Sequence, residues 1–138
     1  LALAVVPEPE LSVEPADQSY VNLPTNVASG DVPTTNNIQL FGVQIPIVFT
    51  STGYSWSFGD GGSASGPGVA GARVGAPGAV EHLYRRSGDY SITLTRTFTA
   101  TAQLPGGATL ALSAPFSNTS APYGLAVSEI QTLVTQVD

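Results

Sequence analysis

Apolar residues in this chain recur at every second position, and that period commits it to β-strands. Ile38 and Leu40, then Val43, Ile45, Ile47 and Phe49, alternate with smaller or polar neighbours, and the parity changes near Gly42, as a hairpin turn requires. Tyr54, Trp56 and Phe58 share one face of the next strand, opposite Ser55 and Ser57. Tyr90, Ile92 and Leu94 repeat the pattern, and Phe98, Ala100, Ala102 and Leu104 keep the same parity, which leaves Arg96 as the one misplaced residue. Leu104-Pro105-Gly106-Gly107 supplies turn chemistry, after which Leu110, Leu112, Ala114 and Phe116 run back on alternate positions. A long hairpin is therefore expected over residues 91–116. Residues 125–137 mix two signals. Val127, Ile130, Leu133, Val134 and Val137 have helical spacing, yet Thr132, Thr135 and the lack of a strong cap favour a strand.

The 138 residues, 42% of them hydrophobic, suit one domain with a core, and 15 glycines and 11 prolines allow the many turns that short strands need. Residues 1–15 stand apart from the rest. An apolar start that includes Leu1, Leu3, Val5 and Val6 leads into Pro7-Glu8-Pro9-Glu10 and then Pro15, a spacing that favours extended backbone. Such a segment serves either as a linker or as a strand added to a sheet edge, and residues 16–138 form the domain proper. Residues 59–79, rich in Gly, Pro, Ala and Ser and without periodicity, read as a long surface loop.

Charge excludes several functions. Only 10% of residues are charged, and ten acids against four bases give a net charge of −6, which repels phosphate backbones and anionic lipid. Nucleic acid is not an expected partner. Every base is an arginine (Arg73, Arg85, Arg86, Arg96), so Schiff-base lysine chemistry is excluded, and the absence of Cys and Met excludes thiolate nucleophiles and sulfur-ligated metals. No apolar run is long enough for a membrane helix. The first residue is Leu1 rather than methionine, as in a processed or excerpted chain.

Motifs with catalytic meaning fail their tests. A Ser/His/Asp site would need His82, the only histidine, oriented by Asp60 or Asp89, with a serine in attack position that nothing in the sequence marks. Gly62-Ser63-Ala64-Ser65-Gly66 has alanine where a nucleophile elbow needs serine. Gly66-Pro67-Gly68-Val69-Ala70-Gly71 matches G-x-G-x-x-G but lacks the flanking strand and helix of a dinucleotide site. Asn118-Thr119-Ser120 fits the N-glycosylation acceptor pattern, a match that is common by chance.

Two segments carry a more specific signal. Tyr54-Ser55-Trp56-Ser57-Phe58-Gly59-Asp60-Gly61-Gly62 precedes His82-Leu83-Tyr84 and then Ser87-Gly88-Asp89-Tyr90-Ser91-Ile92-Thr93-Leu94-Thr95. Together, over residues 21–95, they resemble the PKD (polycystic kidney disease) domain, whose signature joins a tryptophan strand ending in Phe-Gly-Asp-Gly to His-x-Tyr and a Tyr-x-Val-x-Leu strand. Ser57, Gly62 and Ser87 depart from the usual Asp or Asn, Ser or Thr, and Pro. The insertion before His82, the hairpin after Thr95 and Val21-Asn22-Leu23-Pro24-Thr25 resemble an actinobacterial secreted variety.

The resemblance implies an all-β, immunoglobulin-like β-sandwich with an extended C-terminal hairpin. It makes Trp56, Phe58, Gly59, Asp60, Gly61, His82, Tyr84, Gly88 and Tyr90 fold determinants, with no catalytic role. Trp56 and Phe58 can fill the space between sheets, Gly59 and Gly61 allow backbone angles closed to other residues, and Asp60 can accept turn amides. No cofactor is expected. Some domains of this kind bind calcium, and Asp17, Asp60, Glu81 and Asp89 offer oxygen ligands, but no acidic cluster marks a site. The function implied is a non-catalytic extracellular or cell-surface module, bacterial in origin, that contacts proteins, including copies of itself. Leu1, Leu3, Val5 and Val6 would form a strand passed between subunits of a filament. The alternative is a carbohydrate-binding or spacer module beside a polysaccharide-degrading enzyme, with Tyr20, Phe41, Tyr54 and Tyr123 as candidate sugar platforms.

Overall fold

A computed structural model describes residues 6–30, 33–113 and 115–130, and these are built almost wholly of β-strands. In chain order they are β1 (Ser12–Glu14), β2 (Gln18–Tyr20), β3 (Pro24–Ala28), β4 (Thr34–Leu40), β5 (Val43–Ser57), β6 (Ser63–Ser65), β7 (Val80–Leu83), β8 (Gly88–Gln103), β9 (Thr109–Ala111), β10 (Phe116–Thr119) and β11 (Tyr123–Ser128). One sheet has the order β1-β3-β7. The other runs β2-β11-β8-β5-β4, with β6 beside β5, and β9 and β10 beside β8. All pairs are antiparallel except β2 with β11. This is the expected all-β, immunoglobulin-like sandwich, extended at one end.

The long strands β5 and β8 form its axis. Alternation on β5 changes parity between Phe49 and Tyr54, and a β-bulge explains how both halves still serve one face. Ile47 lies opposite Ala102 and Phe49 opposite Ala100; the register then shifts between Ser51 and Gly53, and Tyr54 and Trp56 fall opposite Arg96 and Leu94. Thr52 is the additional residue, and its hydroxyl donates to the Thr97 carbonyl at 3.2 Å.

The shared face carries two core clusters. In the first, Trp56, Phe58, Ile92, Leu94, Leu125 and Val127 meet Val13, Val27, Val80 and Tyr84 from the smaller sheet's side. In the second, Ile45, Ile47, Phe49, Phe98, Ala100 and Ala102 lie together, with Val6, Ile38, Leu112 and Phe116 packed against them. Phe49 takes edge-on contacts from Phe98 and Phe116 at 6.1 and 5.9 Å. Arg96 occupies the seam between the clusters. Only 7% exposed, it donates to the Ser51 hydroxyl from two nitrogens and to Ser29 Oγ at 3.5 Å, and its guanidinium stands 5.0 Å from the Tyr54 ring centre and 5.2 Å from that of Phe98. The residue that breaks the apolar alternation is therefore a buried cation held by hydroxyls and rings, with no carboxylate in ion-pair range among the described residues.

The turns follow their chemistry. Leu40 pairs with Val43, so Phe41 and Gly42 form a two-residue loop, and both have positive φ (50° and 76°), as a type I′ hairpin turn demands. The long hairpin on β8 forms, with its return arm divided into β9 and β10 by a register step: Ala111 faces Thr101, whereas Phe116 faces Phe98.

Two expectations need correction. Residues 59–79 are not loop throughout, because Ser63–Ser65 pairs with Ser55–Ser57 as β6; three small residues lack the bulky alternation that marks a strand. The strand expected over 125–137 ends at Ser128, and Ile130 is helical; residues 131–138 lie outside the described set. At the other end, Ser12–Glu14 pairs with Asn26–Ala28 and puts Val13 in the first cluster, so residues 1–15 contribute a strand to the smaller sheet.

Trp56 is 1% exposed and donates its indole N–H to the Gly66 carbonyl at 2.8 Å, joining core and loop. Replacing it with alanine is expected to cost about 3–5 kcal/mol. Urea denaturation measures this, and an unchanged midpoint would contradict the placement of Trp56 in the core.

Candidate functional site

The signature residues converge at one end of the sandwich. Phe58 leaves β5 into a turn closed by its own N–H to the Gly62 carbonyl at 3.1 Å. Gly59 has φ +86°, and a Cβ there would meet the Ser91 carbonyl oxygen at 2.7 Å and its nitrogen at 2.9 Å. Both the angle and the approach of β8 require glycine. Asp60 Oδ1 accepts the Gly62 N–H at 2.9 Å, and its other oxygen lies 2.7 Å from His82 Nε2. Gly62, which departs from the usual Ser or Thr, makes room for this pair, since a Cβ there would stand 2.5 Å from His82 Cε1.

An aromatic stack continues inward. His82 lies flat on Phe58 with ring centres 4.2 Å apart, Tyr84 meets the edge of His82 at 4.6 Å, and Tyr90 stacks on Tyr84 at 4.5 Å. Tyr84 is fully buried and donates its hydroxyl to the Phe58 carbonyl at 2.8 Å, while the Tyr90 hydroxyl donates to the Arg86 carbonyl at 2.8 Å. Gly88, at φ +155°, opens β8 below the Tyr90 ring.

Electrostatics follow from the contacts. Burial works to raise the Asp60 pKa, but the hydrogen bond and charge of His82 and the Gly62 N–H outweigh it and hold the carboxyl below its usual value. Burial pushes the Tyr84 phenol well above its usual range, and the charges of Asp60 and Tyr90 add to the shift. A neutral phenol that must keep its proton to bond Phe58 is a structural group. His82 is bonded to Asp60, stacked on Phe58 and edge-on to Tyr84, contacts that fix its ring in the fold.

The other candidates scatter. Asp17 accepts the Tyr123 hydroxyl, Glu81 accepts the Gly75 N–H, and Asp89 sits on β8, so the acids considered for calcium are apart; among the described residues no three His, Asp or Glu gather in a metal-holding group. Of the aromatic candidates, Tyr54 and Tyr123 are half-buried and spend their hydroxyls on Gly30 and Asp17, Tyr20 is half-buried in β2, and Phe41 stands 97% exposed. Val6 packs on the second cluster and its carbonyl accepts the Asn118 side-chain N–H at 3.0 Å; Leu1, Leu3 and Val5 lie outside the described residues. Sequence reasoning missed the Trp56–Gly66 bond and the Ser91 backbone against Gly59.

Tyr84→Phe is expected to cost about 1–3 kcal/mol at neutral pH by leaving the Phe58 carbonyl unpaired. Because the folded pKa of Tyr84 is raised, the parent should lose stability as pH rises above about 10, and the variant should lose less. Thermal melts across pH report both effects, and parallel curves would contradict the assignment. Gly59→Ala should cost about 2 kcal/mol or more.

Comparison with protein families gives a match to the PKD domain over residues 25–103. Comparison with curated proteins gives no match.

Proposed function

Because the chain belongs to the PKD domain family, whose members typically occur in extracellular proteins and are generally non-catalytic, we propose that it is a non-catalytic module making protein contacts at a bacterial cell surface. Its signature residues are consumed in holding the fold: His82 by Asp60, Tyr84 by Phe58, Trp56 by Gly66. No helix among the described residues is long and apolar enough to cross a membrane. Function then lies in surfaces and edges.

The N-terminal segment is the element passed between copies. The observation that carries this reading is how Val6 sits: its side chain lies on the second core cluster and its carbonyl is taken by Asn118 of β10. Val6 thus meets an apolar face through contacts that any copy's segment can make, a geometry suited to strand exchange and head-to-tail assembly. The carbohydrate reading has less support, because only Phe41 among its aromatics is fully exposed and sugar platforms use several in a row.

Light scattering across a concentration series tests the reading. The comparison is between the full chain and a chain lacking residues 1–6, which keeps β1 and Val13 in place. The full chain is expected to grow beyond dimers with concentration and the shortened chain to stop at dimers or below. Identical mass distributions would sink strand exchange.

A further inference from the structure

The charged residues of this chain are unevenly spread along it. Residues 33–59 and 97–128 contain no Asp, Glu, Lys, Arg or His. These two stretches hold β4, β5, the last seven residues of β8, β9, β10 and β11; β11 pairs with the opposite end of β8, and the other described residues beyond the seam at Arg96 form a lobe without charge. The acids that give the net charge of −6 lie elsewhere.

At the far tip of this lobe the apolar face comes to the surface. Leu40 and Val43 pair across the β4–β5 hairpin, Leu110 lies opposite Ala102, and these three are 36%, 45% and 52% exposed. Val43, with Leu104 and Pro105 of the neighbouring turn, also borders an open depression of about 540 Å³. Phe41 projects from the hairpin apex, 97% exposed at φ +50°. A type I′ turn favours Asn or Gly at that position, and a phenylalanine suffers both the left-handed backbone and full hydration. Neither local structure nor the core benefits from that side chain, which marks it as an anchor for a partner.

We propose that the uncharged tip is a self-association surface whose partner is the tip of a second copy, met about a two-fold axis. Two chains of charge −6 repel each other, and the neutral lobe is the part of the described surface through which they can approach with their charges farthest apart. The inference deepens the protein-contact reading and rests on it, but is independent of the N-terminal strand.

The chain has no cysteine, so one introduced thiol reports proximity cleanly. Thr109→Cys at the exposed tip is expected to form disulfide-linked dimers about tenfold faster than Ser63→Cys on the charged lobe. Adding Phe41→Asn, which suits the turn and preserves folding, should bring the rate down to the control. Added salt should speed tip cross-linking by screening the distant acids. Equal rates for the two thiols, or indifference to Phe41→Asn, would overturn the proposal. Phe41-dependent sedimentation with phosphatidylcholine vesicles, without cross-linking, would also overturn it and assign the tip to a neutral lipid surface. Strand exchange fails separately, through unchanged assembly on loss of residues 1–6 while tip cross-linking persists.

Discussion

The antiparallel pairing of β5 with β8 is the constraint on which the molecule depends. Both strands run through both core clusters, and the larger sheet grows from their outer edges: β4 and β6 on β5, β9, β10 and β11 on β8, and β2 in turn on β11. The signature turn at Gly59 depends on the same pairing, because the Ser91 backbone presses on it from β8. So does Arg96, whose cross-strand partner on β5 is Tyr54 and whose hydroxyl acceptor Ser51 pairs with Phe98 beyond the bulge. A buried guanidinium without a carboxylate is costly to desolvate, and ring faces and hydroxyls offset part of that cost.

The two ends of this axis differ in chemistry. At the signature end the histidine, tyrosines and aspartate bond one another or the backbone beside an open depression of about 570 Å³, and glycine stands at Gly59 and Gly62, where backbone or ring comes too close for a side chain. The distal end is open and uncharged, with its apolar residues continuing past the core to the tip. A domain whose signature side chains are spent on folding still keeps a region whose composition folding alone does not explain.

Much of this was legible in the sequence because strand period and turn residues are local signals. Ile45 to Phe49, Trp56, Phe58 and the even positions of β8 declared their faces directly, and the Phe-Gly-Asp-Gly and His-x-Tyr segments fixed the fold type. The bulge was not legible, since Thr50, Ser51, Thr52 and Gly53 carry no apolar marker to show where parity changes. β6 escaped for the same reason, being Ser-Ala-Ser. The roles of Gly62 and Gly66 depend on His82 and Trp56 arriving from elsewhere in the chain, and Arg96 looked like an error of alternation because its hydroxyl partners are distant in sequence. For the site, the residue types were readable; that they would all satisfy one another was a matter of three-dimensional placement.

The bulge at Thr52 also sets how the chain tolerates changes of length. Side chains on a strand alternate between faces, so one residue gained or lost between Phe49 and Trp56 would send one half of β5 outward while the other stayed in place. Two residues would restore the parity and merely slide the hairpin tip along β8. Length variation along this strand is therefore quantised in pairs, with Thr52 the single odd count that brings two oppositely phased segments onto one face.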